Sequence, residues 1–307
     1  MTARAGPAGM APQHLAFILF IDILWAANLV ATKEAVSVVP PLLATALRFA
    51  IVLAVCVPHM RLVPGRMGLI FGTGLVAGAL HFGLGSASIH LATNLSALAI
   101  VGQLGVPFSL LLAILIDGER IAWRRTLGIV LAFAGVTLLV FDPTIADEQL
   151  AILLTAGAAL CWGAATLMFR RLAGVHVLNL QGWQAIVSLP ALLAASALLE
   201  PGAIAAVGAV PLSALGWIAY SALAASLIGH AGMSWMLQRY PVTSITPLTL
   251  PTPLLAVIIA TAVYGTPVTL PMIVGGLMTL AGVAIIALRS AARMETGRPE
   301  KKVTHAP

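Results

Sequence analysis

The sequence has 307 residues, of which 60% are hydrophobic and 8% charged, whereas soluble globular proteins carry roughly 25% charged residues. So little polar surface cannot cover a water-soluble domain, and the chain is predicted to be an integral membrane protein. Its net charge of +6 does not indicate nucleic-acid binding, because the basic residues lie in short gaps between apolar runs. Cys56 and Cys161 give neither a disulfide framework nor a zinc-ligand spacing.

Apolar runs recur along the whole chain, and most approach the roughly 20 residues that a helix needs to cross a bilayer. Helices are expected because a helix satisfies its own backbone hydrogen bonds in lipid. The ten predicted spans are 14–33, 41–58, 67–89, 92–116, 121–141, 149–169, 177–199, 211–237, 242–264 and 268–289.

The charged residues between these spans predict the orientation. Of the 16 Lys and Arg, all but Lys33 and Arg48 lie in segments at one predicted end of the bundle. The positive-inside rule places that end in the cytoplasm, together with both termini. The expected location is the bacterial inner membrane.

The second half of the sequence repeats the first. "ILWAANLVATK" (23–33) resembles "ALCWGAATLMFR" (159–170), and "DGERIAWRRTLGIVLAFAGV" (117–136) resembles "YGTPVTLPMIVGGLMTLAGV" (264–283). Each half of the sequence contains five spans. Because five is an odd number, the second half enters the membrane in the opposite direction from the first. Such an inverted repeat is typical of secondary transporters. The predicted divisions are a first repeat at 1–145, a second repeat at 146–290 and a cytoplasmic basic tail at 291–307.

The sequence combines ten spans and their duplication with a tryptophan early in the first span of each half and the motifs "LRFA" (47–50) and "GER" (118–120). In this combination the chain resembles the drug/metabolite transporter superfamily. Within it, the chain most resembles the bacterial YddG-type exporters of aromatic amino acids and related metabolites. The resemblance implies an all-α membrane fold in which two inverted five-helix EamA-type repeats form a basket around a central cavity. It implies no cofactor and no ATP-binding module.

The expected function is therefore a secondary transporter that exports aromatic and other neutral amino acids and related small metabolites by alternating access. The main alternative is efflux of drugs and organic cations, which acidic cavity residues would favour. An intramembrane enzyme would need a clustered catalytic set, and the sequence has no HExxH or GxSxG motif. A receptor or scaffold would need long loops. Beyond substrate and lipid no partner is expected, no metal site is indicated, and a monomer can enclose the path.

Aromatic and polar side chains inside the spans are candidates for substrate binding. His81 and His230 occupy comparable places in spans three and eight, so they are expected near the midplane, where they either bind substrate and protons or bond neighbouring backbone groups. Trp25 and Trp162 are repeat-related, and they either stack on a flat substrate or pack between helices.

Amides and prolines inside the spans give further candidates. Asn28 and Gln103 either bind polar groups of the substrate or hold helices together with hydrogen bonds of about 0.6–2 kcal/mol. Pro107 lies in span four, and Pro251 and Pro253 lie in the repeat-related span nine. These prolines free backbone carbonyls and predict either gating bends or static kinks.

Asp22 lies in span one with three apolar residues on each side, and a charge inside a membrane usually has a partner. At about 1.5 Å per residue, Asp22 lies roughly 16 Å and Arg48 roughly 10 Å below the predicted outer ends of their spans. An arginine side chain can bridge that difference, so a structural ion pair is predicted between Asp22 and Arg48. The rival hypothesis is that Asp22 faces the cavity and binds a substrate ammonium group or a proton.

The topology can be tested with single cysteines in a background that lacks Cys56 and Cys161. We expect cysteines near Ile145 or Gly202 to react with an impermeant thiol reagent from outside the cell. Cysteines near Arg124 or His176 should react only after permeabilisation. The reverse pattern would contradict the predicted orientation.

Overall fold

The structure is a computed structural model, and it describes residues 10–118, 122–237, 239–240 and 245–295. Within these residues the regular elements are all helical, as predicted. The membrane-length helices are α1 (Pro12–Val36), α2 (Pro41–Cys56), α3 (Met67–Leu91), α4 (Leu95–Ile116), α5 (Trp123–Val140), α6 (Gln149–Arg171), α7 (Val177–Leu199), α8 (Leu212–Tyr220 continuing through Ser221–Gly229 and His230–Leu237), α9 (Pro251–Tyr264) and α10 (Leu270–Glu295).

In the described part of the chain, nine helical segments are long and apolar enough to cross a membrane. The tenth, α9, has 14 residues and is about 21 Å long at 1.5 Å per residue. It starts later than the predicted span because Pro251 begins the helix after a 3₁₀ turn at Thr246–Thr249. Residues 241–244, Glu119, Arg120 and the predicted tail from 296 onward lie outside the described residues.

Four helices contain or follow an irregular segment, and these segments come in repeat-related pairs. In α3, a π-helical stretch at Gly74–Leu80 ends immediately before His81. In α8, a π-helical stretch at Ser221–Gly229 ends immediately before His230. The second pair is 3₁₀-helical: one segment interrupts α4 at Gly102–Leu104, and the other is the turn before α9.

Acidic residues gather at one end of the bundle, where short connections join α1 to α2 and α3 to α4. We call this the acidic end and define it by Glu34, Asp142, Glu148 and Glu200. Glu148 accepts hydrogen bonds from the backbone N–H groups of Thr93 and Asn94, the two residues before α4, at 2.7 and 3.0 Å. Glu200 does the same for α2 at 2.7 and 3.1 Å. Carboxylates therefore satisfy N–H groups that each helix start leaves without an intrahelical partner.

At the acidic end a lysine side chain caps the C-terminal end of a helix. Lys33 Nζ donates to the carbonyl oxygens of Ile89, His90 and Ala92 at the end of α3, at 3.1, 3.2 and 2.6 Å. A cation there is favoured by the helix dipole. At the same end of the bundle, a hydrogen bond from the Thr269 hydroxyl, with further bonds from Thr144, holds the pKa of the Asp142 carboxyl below its usual value.

The two repeats come into backbone contact where α5 and α10 cross. A Cβ atom on Gly135 would lie 2.4 Å from the carbonyl oxygen of Gly275, and one on Gly282 would lie 2.5 Å from that of Gly128. These glycines are the repeat-related residues of the sequence, since Gly128 corresponds to Gly275 and Gly135 to Gly282. Small residues of this kind let membrane helices approach to backbone contact.

The same correspondence appears where α4 and α9 end. Gly118 follows α4 with φ +65° and Gly265 follows α9 with φ +64°. This left-handed conformation favours glycine and closes the last helical turn. The two copies of the repeated unit therefore stop their fourth helix in the same way. The division of the chain near residue 145 stays a prediction.

The glycine crossing predicts a selective loss of stability. Gly135→Ala should lower the free energy of unfolding by about 1–3 kcal/mol, because its methyl group has no room beside the Gly275 carbonyl. Gly216→Ala is the matched control, since a Cβ there meets nothing within 4 Å. Thermal unfolding in detergent measures both variants, and equal melting temperatures would contradict the close crossing.

Candidate substrate cavity

A cavity of about 340 Å³ lies among α1, α2, α3, α4 and α6. Its volume falls at the lower end of the roughly 300–1,000 Å³ range of small-molecule sites. The lining residues of α1 and α3 come from the second half of each helix, so the cavity lies nearer the acidic end. The walls mix polar and apolar residues: Asn28, Leu29, Thr32, Arg48, His81, Phe82, Gly85, Ser86, Ile89, Leu98, Gly102, Thr155, Ala158, Ala159 and Trp162.

Two tryptophan–histidine pairs lie beside this cavity, and each pair joins the two halves of the chain. The ring centroids of Trp162 and His81 are 5.0 Å apart, and those of Trp25 and His230 are 5.5 Å apart. Trp162 also contacts His230 at 6.1 Å, which connects the pairs. The repeat-related residues of the sequence therefore meet as one aromatic cluster.

Backbone carbonyls fix both histidine rings. His81 Nδ1 lies 2.8 Å from the Ala158 carbonyl oxygen, and His230 Nδ1 lies 3.1 Å from that of Ala225. Because a carbonyl only accepts, each Nδ1 carries the proton and each Nε2 of the neutral ring is left as an acceptor. Trp25 Nε1 donates to the same Ala225 carbonyl at 3.1 Å. Both rings are thus bonded to backbone and keep one acceptor nitrogen each, and their binding of substrate or protons stays a prediction.

Three of the six predicted substrate-binding residues line the cavity: Asn28, His81 and Trp162. Trp25 and His230 pack beside it, and a Cβ on Gly229 would lie 2.4 Å from Trp25 Nε1. This tight contact agrees with the packing alternative for Trp25. Gln103 follows the lining residue Gly102 and is not itself part of the lining.

The predicted Asp22–Arg48 ion pair is not formed in the structure. Asp22 is fully buried, and its Oδ1 accepts a hydrogen bond of 2.6 Å from the Thr252 hydroxyl of α9. Arg48 instead donates from Nε and Nη2 to Ser226 Oγ of α8, at 3.1 and 2.8 Å. The depth estimate compared heights along two helices, and height does not determine which side of a helix a residue occupies. Asp22 faces α9, whereas Arg48 faces the cavity and α8.

Four further polar or aromatic residues of the lining were not predicted: Thr32, Phe82, Ser86 and Thr155. Arg48 was predicted to form an ion pair and not to line the cavity. Helical spacing could have found most of them, because residues three and four apart share one face. Thr32 lies four residues after Asn28, and Ser86 lies four residues after Phe82 and three before Ile89.

The predicted gating prolines lie at the irregular segments of α4 and α9. Pro107 follows the 3₁₀ segment of α4 by three residues, and Pro251 is the first residue of α9. Pro253 is the third residue of that helix and is buried. Their role in gating stays a prediction. No group of three His, Cys, Asp or Glu side chains that could hold a metal ion occurs among the residues described.

Membrane-length helices around a cavity with polar and aromatic walls are typical of membrane transport proteins. The model of the EamA-like transporter family matches this sequence twice, at residues 14–141 and 149–288. The chain belongs to the EamA-like transporter family. It is therefore a multi-pass membrane transporter rather than an enzyme, as predicted.

Curated relatives and a solved structure are similar over nearly the whole chain. The "Probable amino-acid metabolite efflux pump" of Escherichia coli (strain K12) is 23% identical over 275 residues, covering 87% of this chain and 92% of the relative. The protein of the same name from Salmonella typhimurium is 24% identical over 277 residues, with the same coverage. One crystal structure of 20% identity matches with a TM-score of 0.61 over 92% of this chain and 99% of its own.

Double-mutant cycles test the partners of Asp22. Asp22→Leu and Thr252→Val should show a coupling free energy of about 0.5–3 kcal/mol, because the two side chains share a buried hydrogen bond that either change removes. Asp22→Asn and Arg48→Gln should instead be additive within about 0.5 kcal/mol. Unfolding in detergent gives both values. Strong coupling in the second cycle would restore the ion pair.

Proposed function

We propose that the protein is a secondary transporter that exports neutral amino acids, aromatic ones preferentially, and related small metabolites across the bacterial inner membrane. The observation that carries this proposal is the cavity between helices of both repeats, with aromatic and polar groups on facing walls. The printed name of the two curated relatives supports the same substrate class. Because one chain forms the whole cavity, a monomer is sufficient.

The size and walls of the cavity suit a metabolite of amino-acid size. Phe82 and Trp162 offer apolar faces for a flat side chain, whereas Asn28, Arg48 and His81 offer hydrogen-bonding groups. A few placed polar groups on mostly apolar walls are the usual composition of a small-molecule site. A volume of about 340 Å³ leaves little space for larger drug-like amphiphiles.

Efflux of organic cations is less well supported by the charges. The described cavity lining contains the cation of Arg48 and no carboxylate. Asp22, the acidic residue that this alternative would use, accepts a hydrogen bond from Thr252 and is not part of the lining. A cationic substrate would therefore meet a like charge, which opposes its binding.

The irregular helix segments support alternating access. The π-helical stretches interrupt α3 and α8, and the 3₁₀ segments interrupt α4 near Pro107 and precede α9 at Pro251, so the four segments form repeat-related pairs. Discontinuous helices at equivalent places in inverted repeats are a feature of transporters that open alternately to the two sides. We propose that bending at these segments opens the cavity toward the cytoplasm, with the acidic end facing outside.

Reconstituted protein tests the substrate class. Proteoliposomes should move phenylalanine, tryptophan and leucine without ATP. Trp162→Ala should reduce flux of the aromatic substrates about tenfold, because the cavity wall loses one aromatic face. Trp217→Ala is the matched control, since Trp217 is 41% exposed on α8 and does not line the cavity.

Two results would contradict the proposal. Flux of organic cations without any amino-acid flux would favour the efflux alternative. Equal effects of Trp162→Ala and Trp217→Ala would separate transport from this cavity.

A further inference from the structure

The arginine in the middle of α2 is the unusual residue of the cavity. Arg48 lines the cavity, yet its residue surface is only 6% exposed. A guanidinium group taken out of water inside a membrane protein is costly, and such groups normally pair with an opposite charge. Its surroundings therefore indicate what this charge is for.

The contacts of Arg48 orient the guanidinium without neutralising it. Nε and Nη2 donate to Ser226 Oγ, which itself donates to the Ser221 carbonyl at 3.0 Å, so the serine lone pairs are left for the arginine. The guanidinium carbon lies 4.4 Å from the centroid of the Phe82 ring, a cation–π distance. None of the carboxylates in the described part of the chain makes a salt bridge with Arg48.

One edge of the guanidinium keeps its hydrogen-bonding capacity. Nη1 makes no hydrogen bond to the residues that the structure describes. In the same cavity, the amide oxygen of Asn28 is buried and has no hydrogen-bond partner. The cavity therefore combines an uncompensated cation with an unused acceptor, and both are costly until a ligand engages them.

We propose that Arg48 binds the carboxylate of the transported substrate, and that the Asn28 amide turns its buried, unpartnered oxygen toward the cavity to accept a hydrogen bond from the ammonium group. This inference rests on the proposed function and specifies its substrates as carboxylate-bearing. A carboxylate supplies the negative charge that the surroundings of Arg48 lack. Charge-assisted hydrogen bonds to the guanidinium are the strongest hydrogen bonds that this cavity offers a small ligand. Compounds with the same side chain but with an amide, or no group, in place of the carboxylate leave the arginine unpaired and are rejected.

The first experiment compares three ligands that share one aromatic side chain. Proteoliposomes are tested with phenylalanine, phenylalanine amide and phenethylamine. The wild-type protein should prefer phenylalanine by roughly 10- to 100-fold in flux at low concentration, the effect of a hydrogen bond to a charged group. Equal flux of the acid and the amide would overturn the role of Arg48 while leaving the transport of amino acids intact.

Variants then assign the preference to the residue. Arg48→Gln should abolish the preference for the carboxylate, and Arg48→Lys should keep part of it, because lysine retains the charge but not the planar fork. Arg66→Gln is the matched control, since Arg66 is exposed at the other end of the bundle. If Arg48→Gln does not fold, Arg48→Lys alone decides: unchanged affinity for phenylalanine would overturn the proposal.

A binding measurement separates this inference from the proposed function. Thermal unfolding in detergent is recorded with phenylpyruvate, which has a carboxylate and no ammonium group, and with phenethylamine. Stabilisation of the wild-type protein by phenylpyruvate alone, lost in Arg48→Gln, supports the carboxylate site even if no amino acid is transported. Equal stabilisation by both compounds would overturn the site, and absence of any amino-acid flux would overturn the proposed function instead.

Discussion

A helix that leaves its regular hydrogen-bond pattern inside a membrane frees carbonyl oxygens that no bulk water reaches, so side chains must bond them. In α8 the Ala225 carbonyl receives the Trp25 indole and the His230 ring. In α3 the Gly74 carbonyl receives the Ser188 hydroxyl at 3.0 Å. The donors come from α1 and α7 as well as from α8 itself, so the irregular segments also fasten neighbouring helices together.

The same requirement connects the helix interruptions with the candidate site. Ser226 lies in the π-helical stretch of α8, bonds the Ser221 carbonyl and orients Arg48 of α2. A change in the geometry of α8 would therefore alter the support of the cavity cation. Under the proposed transport cycle, the residue that binds the substrate and the segment that bends are joined by a single hydroxyl group. The stability of the irregular segment and the occupancy of the cavity are then coupled free energies.

Hydrophobic runs and the duplication were enough to predict the all-helical membrane fold, whereas the contact of α5 and α10 at the repeated glycines was not predicted from the sequence. Three of the side chains chosen for their place inside the spans, Asn28, His81 and Trp162, lie in the cavity lining, and their role in binding stays a prediction. The sequence did not show which neighbouring helix each side chain faces. Asp22 and Arg48 were paired from their heights in the membrane, but their side chains point to different helices. The π-helical stretches had no signal in composition or spacing, because π-helical turns use the same apolar residues as α-helices.

The glycine crossing has the form of an isologous interface, in which two equivalent surfaces meet about a twofold axis. Gly128 faces Gly282 while Gly135 faces Gly275, so each member of one repeat contacts the counterpart of the other member. The fusion of the two repeats in one chain keeps this symmetry although the sequences have diverged. A side chain introduced on one helix meets the backbone of its equivalent, which ties the four positions together and leaves variation to the faces that turn toward lipid or substrate.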